Sequence, residues 1–156
     1  MDIFAEWQNG GTELRWRSTT AANDSREVAV FSRRCGTPGA PALVLVHGFP
    51  TSSIDYFALA GELSSEFDIF LLDFPGYGLS DKPPAPHVYS LYDDARLLVY
   101  AITQVWKLTE YRMLTHDRGS DDAGAARGRL GSQYLHAAAD TAGPRDRRVG
   151  EMFCPQ

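Results

Sequence analysis

The chain is short of several things, and each shortage narrows what it can be. No apolar run approaches the roughly 18–20 residues of a membrane-spanning helix; the longest are brief stretches such as Leu43 to Val46. Basic residues are the minority, 15 Lys and Arg against 20 Asp and Glu, which argues against the basic patch that nucleic-acid binding needs. There are two cysteines, Cys35 and Cys154, far apart and without metal-type spacing. They are expected to be unpaired thiols in a reducing compartment. The opening residues Met1-Asp2-Ile3-Phe4-Ala5-Glu6 lack the basic start and apolar block of a secretory signal. A cytoplasmic protein with neither a membrane nor a nucleic-acid partner is the expectation.

What is present is enough for one folded unit: 156 residues, 44% of them apolar. Thr12 to Ser18 alternates, with Leu14 and Trp16 set against Arg15 and Arg17. Glu27 to Phe31 follows a turn-like cluster at 21–25, so an antiparallel hairpin at a sheet edge is expected. Gly36 to Pro41 reads as a loop. The period then changes. Ala42 to Val46 and Asp68 to Leu72 are unbroken apolar runs, as strands buried on both faces should be.

Between them, Ser52 and Asp55 predict a capping box for a helix carrying Ile54, Phe57, Ala58 and Leu63. Residues 75–86 form a long irregular connection rich in Gly and Pro. Ser90 and Asp93 predict the cap of a second helix, with Leu91, Ala95, Leu98, Ile102 and Val105 at helical spacing. Glu110 to Thr115 is expected as a third buried strand. The alternation of strand and helix predicts an α/β fold with a mostly parallel sheet.

The pattern degrades after Ser120. Residues 121–156 contain 17 Ala, Gly or Arg among 36, with no strand-like run and a weak helical stripe near Gln133 to Asp140. Such a segment buries little apolar area against its ordering entropy. A division into an ordered portion, 1–120, and a poorly ordered tail, 121–156, is expected. The abrupt change is what a frameshift in a GC-rich gene, or a truncated gene with a random-looking tail, would leave.

Chemistry concentrates at Thr115-His116-Asp117-Arg118-Gly119, directly after the third strand. A nucleophile elbow turns sharply from strand to helix and needs small residues two positions either side; Gly119 meets that demand and Thr115 meets it less well. A carboxylate at Asp117 could attack carbon and form an ester. On spacing alone, a cap of the next helix is the favoured reading of Asp117. His47-Gly48-Phe49-Pro50 ends the first buried strand, where one oxyanion donor would sit, the other following the nucleophile. Those donors would be the backbone N–H groups of Phe49 and Arg118; His47 reads as structural.

The three segments 47–53, 72–83 and 116–119, in that order, closely resemble the α/β-hydrolases that use an Asp nucleophile. These are epoxide hydrolases, haloalkane and haloacetate dehalogenases, and mesoderm-specific-transcript-like proteins. The resemblance covers about residues 26–120. It implies an incomplete α/β-hydrolase fold, Asp117 as nucleophile, a small-molecule substrate such as an epoxide or halogenated compound, and no metal or organic cofactor. It gives Asp73 a loop-organising role. Haloalkane dehalogenases commonly carry Asn after the His-Gly pair and Trp after the nucleophile. Phe49 and Arg118 stand there instead, which disfavours that activity. His-Gly-Phe-Pro suits epoxide hydrolases, and Arg118 is similar to haloacetate dehalogenases, where a guanidinium pairs with a carboxylate.

The resemblance also calls for a downstream base, acid and helical cap. Only His136 follows Asp117, without strand-end context, and His87 is expected to face solvent. Turnover by this chain alone is therefore not expected. A non-catalytic remnant, a hydrolase-like binding module and a serine hydrolase using Ser120 are the alternatives. The last lacks any Gly-x-Ser-x-Gly. The sequence leaves the oligomeric state open.

Overall fold

The computed structural model describes residues 2–117, 119 and 134–139. Six strands form one sheet: β1 (Gly11–Arg17), β2 (Glu27–Gly36), β3 (Ala42–Val46), β4 (Asp68–Leu72), β5 (Tyr111–His116) and β6 (Tyr134–Ala139). Their spatial order is β1-β2-β4-β3-β5-β6. The β1–β2 and β2–β4 pairings are antiparallel; β4–β3, β3–β5 and β5–β6 are parallel. The expected edge hairpin and mostly parallel sheet are therefore both present.

Helix α2 (Phe57–Leu63) connects β3 to β4, and α3 (Leu91–Tyr100) connects β4 to β5. They cover opposite faces. Leu43, Leu45, Ile69 and Leu71 pack with Ala60 of α2 and Trp7 of α1 (Ile3–Asn9). Val44, Val46, Phe70 and Leu72 pack with Ala95, Leu97 and Leu98 of α3. Successive strand residues point to opposite faces, so covering both faces requires the unbroken apolar runs seen in β3 and β4.

Several elements depart from the sequence expectations. Helix α1 was not anticipated: it is seven residues long and buries only Trp7. Its ends are nevertheless held, Asp2 Oδ1 accepting from the Phe4 and Ala5 N–H groups. Neither expected side-chain cap forms at Ser52 or Ser90. The Ser52 carbonyl accepts from the Asp55 N–H within a 3₁₀ turn, Ser53–Tyr56, that precedes α2. Asp93 finds better donors than the helix end: its Oδ1 accepts from the Thr19 N–H and hydroxyl at 2.7 and 2.8 Å, and its Oδ2 from Trp16 Nε1 at 3.4 Å. It thus ties α3 to the segment that follows β1.

Strand β5 is buried on one face only. Tyr111, Met113 and Thr115 are inside, whereas Arg112 is exposed and lies 5.5 Å from the Phe67 ring centroid. The largest departure is β6, a strand where a helical stripe was expected. It pairs in register with β5 from Tyr111↔Tyr134 to His116↔Ala139. Non-local backbone hydrogen bonds, absent from any propensity argument, decide its conformation. β6 therefore covers the outer edge of β5. The remainder of the 121–156 segment, with Cys154 and Ser120, lies outside the described residues; Cys35 carries no disulfide, and its burial raises its thiol pKa.

At the sheet end opposite the candidate site, Arg34 Nε and Nη2 grip Asp68 at 2.8 and 2.6 Å. This pairing, more than the Gly39 N–H bond, holds the Asp68 carboxyl below its ordinary range despite opposing desolvation. A depressed carboxyl stabilises the fold fully above its unfolded pKa, and that contribution is lost as pH falls through the folded value. Asp68→Asn is thus expected to lower stability at neutral pH and to flatten the acid limb. Denaturant midpoints at several pH values check this; parallel wild-type and variant curves would refute it.

Candidate active site

Three chemically marked residues each follow a parallel strand directly: His47 after β3, Asp73 after β4 and Asp117 after β5. From β3 the chain steps to β4 on one side, then crosses to β5 on the other. On such a sheet the point of reversal, beyond the carboxyl ends of β3 and β5, is the usual place for ligands. Phe49 and Asp117 flank it.

Asp117 is exposed and has φ of 52°. A left-handed backbone is sparsely populated by non-glycine residues, Asp being among the more tolerant. A single such residue at the end of a buried strand turns its side chain outward. The Phe49 N–H donates to Asp117 Oδ1 at 3.4 Å, at the long end for a hydrogen bond. So the structure brings Phe49 and Asp117 together, and Arg118 lies outside the described residues.

The turn is possible because two glycines lie where side chains would collide. A Cβ on Gly48 would come within 2.7 Å of Asp117 Cβ and 2.8 Å of the His116 carbonyl oxygen. One on Gly119 would meet the His47 carbonyl oxygen at 2.5 Å and that of Val46 at 2.8 Å. Gly48→Ala is expected to force the β3 and β5 exits apart and to destabilise by about 1–3 kcal/mol, as overpacking does. The midpoint of denaturant unfolding reads this directly, and an unchanged midpoint would rule it out.

His47 is buried and acts as scaffold. Its Nε2 accepts from the Phe74 N–H at 3.0 Å, so the ring proton sits on Nδ1, 2.9 Å from the Gly48 carbonyl oxygen. Both nitrogens are thereby engaged by backbone. Asp73, 1% exposed, organises the surrounding loops: Oδ1 accepts from the Ser53 N–H at 2.7 Å and Oδ2 from the Leu79 N–H at 2.8 Å. Its carbonyl accepts from Ser80 Oγ, which in turn accepts from the Phe31 N–H. The loop-organising role implied for Asp73 matches this geometry. Sequence reasoning did not reach Ser53, Leu79 or Gly48; the paired glycines and serine of 76–80 were the available signal for the loop.

The side chain of Phe49 is 59% exposed and meets the Tyr77 ring edge-on at a centroid distance of 6.3 Å. Tyr77 also packs against His47 at 5.5 Å. His87 does not face solvent freely as expected: it is partly buried and packs edge-on to Tyr89 at 4.7 Å. Burial, then Arg26, lower its pKa against the opposite pull of Asp93. Among the described residues no group of three or more His, Cys, Asp or Glu is placed to hold a metal ion. Among them, too, no helix is long and apolar enough to cross a membrane.

Comparison with known proteins agrees with this layout. Residues 41–120 match the sequence model of the alpha/beta hydrolase fold family. LipZ of Mycobacterium tuberculosis is 38% identical over 117 residues, covering 74% of this chain and 35% of that protein. The human mesoderm-specific transcript homolog protein is 37% identical over 109 residues, 67% of this chain and 32% of its own length. The chain thus spans about a third of the length of these relatives. A Pseudomonas aeruginosa structure assigned to the epoxide hydrolases superposes with a TM-score of 0.61 at 20% identity, over 81% of this chain and 40% of that one. At that identity the likeness concerns the fold.

Proposed function

The chain belongs to the α/β-hydrolase fold family, and from that premise we propose that Asp117 is a carboxylate nucleophile acting on epoxides or halogenated small molecules. The observation that carries this reading is the position of Asp117: left-handed, exposed, one residue past β5, with a backbone N–H of the β3 exit loop beside its carboxylate. With an epoxide, a carboxylate oxygen bonds to a ring carbon, the carbon–oxygen bond opens, and the alkoxide takes a proton from water. With a haloalkyl compound the same attack expels halide. Either route leaves an ester on Asp117. The Phe49 N–H, together with that of Arg118, is proposed to receive the oxyanion that forms when water attacks the ester.

We further propose that this chain forms the ester and does not turn it over. Hydrolysis needs a base for the attacking water. The resemblance places that base far downstream of the nucleophile; of the described histidines that precede it, His47 has both nitrogens engaged by backbone, His87 packs against Tyr89 before α3, and His116 belongs to β5 itself. Incubation with styrene oxide or 1-bromobutane, followed by intact-mass measurement, tests the reading. One hydroxylamine-labile adduct per chain is the expected result; alkylated thiols resist hydroxylamine. A protein that gains no labile adduct from either reagent would sink the assignment.

A further inference from the structure

Buried hydrogen bonds connect the exit loop of β3 to a part of the chain outside the matched segment. Trp7 of α1 is 2% exposed, and its Nε1–H donates to Ser53 Oγ at 3.1 Å; Ser53 is itself fully buried. The indole has two ring contacts: the Arg33 guanidinium stands 4.4 Å over it, and Phe57 meets it edge-on at 5.8 Å. Arg33 Nη1 also donates to the carbonyl oxygens of Glu6 and Trp7, which fixes the end of α1. Trp7 is therefore a rigid post.

The loop it reaches is fixed at both ends and turns at Gly48, whose carbonyl oxygen accepts from the Thr51 N–H and hydroxyl. The near end is the β3 ladder, Val46 pairing with Thr115. The far end is Ser53, held through its N–H by Asp73 and through its hydroxyl by Trp7. Between them lies Phe49, whose N–H reaches Asp117 at 3.4 Å. Attraction at that length falls off steeply. A few tenths of an ångström of slack at Ser53 would decide whether the donor still points at the carboxylate, and sites that must hold such geometry depend on supporting contacts.

We infer that Trp7 is a positioning residue for the Phe49 N–H, acting through Ser53. The inference rests on the reading of Phe49 and Asp117 as partners in one site. Trp7→Phe keeps a ring beside Arg33 and Phe57 but removes the donor together with part of the indole's buried volume; Ser53→Ala removes only the acceptor and so isolates the bond. Two measurements on the full chain test it. One is the pH titration of the Phe49 amide resonance, which should follow ionisation of Asp117 in the wild type. The other is the rate of ester formation with styrene oxide, split into its saturation constant and its limiting rate.

Each variant is expected to halve the Phe49 titration amplitude or more. Because the Phe49 N–H holds the attacking oxygen of Asp117, each should also change the limiting rate of ester formation by about threefold to tenfold, the range one neutral hydrogen bond gives, at an unchanged saturation constant. The double variant should lose no more than either single one, since both remove the same bond. Variants with a lowered melting temperature but wild-type titration and limiting rate would overturn the inference, as would losses that multiply in the double variant. A wild-type chain that forms no ester would instead overturn the Asp117 reading, and the Phe49 resonance would then decide the role of Trp7.

Discussion

Replacing Asp117 by Asn is expected to abolish the hydroxylamine-labile adduct while leaving the fold intact. A neutral amide is a far weaker nucleophile than a carboxylate, and losing a nucleophile outright costs on the order of 10³-fold in rate or more. The substitution is nearly isosteric at an exposed position, and Asn adopts the left-handed backbone at least as readily as Asp. The unfolding free energy should therefore change by less than about 0.5 kcal/mol, as for other surface changes. The combination separates chemistry from folding. A variant that still collects the labile adduct at the wild-type rate would place the nucleophile elsewhere. One that loses adduct and fold together would show only that Asp117 holds the turn.

What the sequence made legible follows from how local each signal is. Strands β3 and β4 are visible because a strand covered on both faces must be apolar at every position, and Leu43 to Val46 and Ile69 to Leu72 satisfy that. The hairpin shows because β1 has one buried face, giving Leu14 and Trp16 alternating with charged neighbours. Helix α1 escapes because one buried residue in seven leaves no period to read. The caps at Ser52 and Ser90 fail because other partners are taken: the Asp55 N–H goes to the Ser52 carbonyl, and Asp93 accepts from Thr19 and Trp16, distant in sequence. Strand β6 is invisible for a related reason. Its Ala-rich text has no strand preference, and its conformation comes from the β5 ladder.

The site divides the same way. The placing of Asp117 at a strand end is a local fact, readable from a short strand-like stretch, Tyr111 to Thr115, followed by a Gly two residues past Asp117. The nearness of Phe49 to Asp117 depends on β3 and β5 being neighbours, and the topology had to be borrowed from a family resemblance before that pairing could be expected. The tight contact at Gly48 is harder still, since it involves atoms 68 and 69 positions away in sequence. No reading of the His-Gly pair alone contains it.

Asp73→Ala is expected to be the most damaging single change to the fold, by about 3–5 kcal/mol. The carboxylate is buried and is the acceptor for two backbone N–H groups on different loops, those of Ser53 and Leu79. Deleting it leaves both donors without their partner, and each such group costs about 1–3 kcal/mol when burial keeps water away. The carboxylate also fills the space over Gly78, where a Cβ would overlap Oδ2, so truncation opens a void as well. Set against a typical domain stability of about 5–15 kcal/mol, the loss is large enough to make the chain marginal. Asp73→Asn discriminates between charge and acceptor geometry. It keeps one carbonyl oxygen but turns an N–H of its amide toward the second backbone N–H, so it should lose nearly as much as Ala. Chemical denaturation of the two variants beside wild type decides the matter. A loss below about 1 kcal/mol in both would mean that the Ser53 and Leu79 loops find other acceptors, and that Asp73 does not hold the β4 exit against the site.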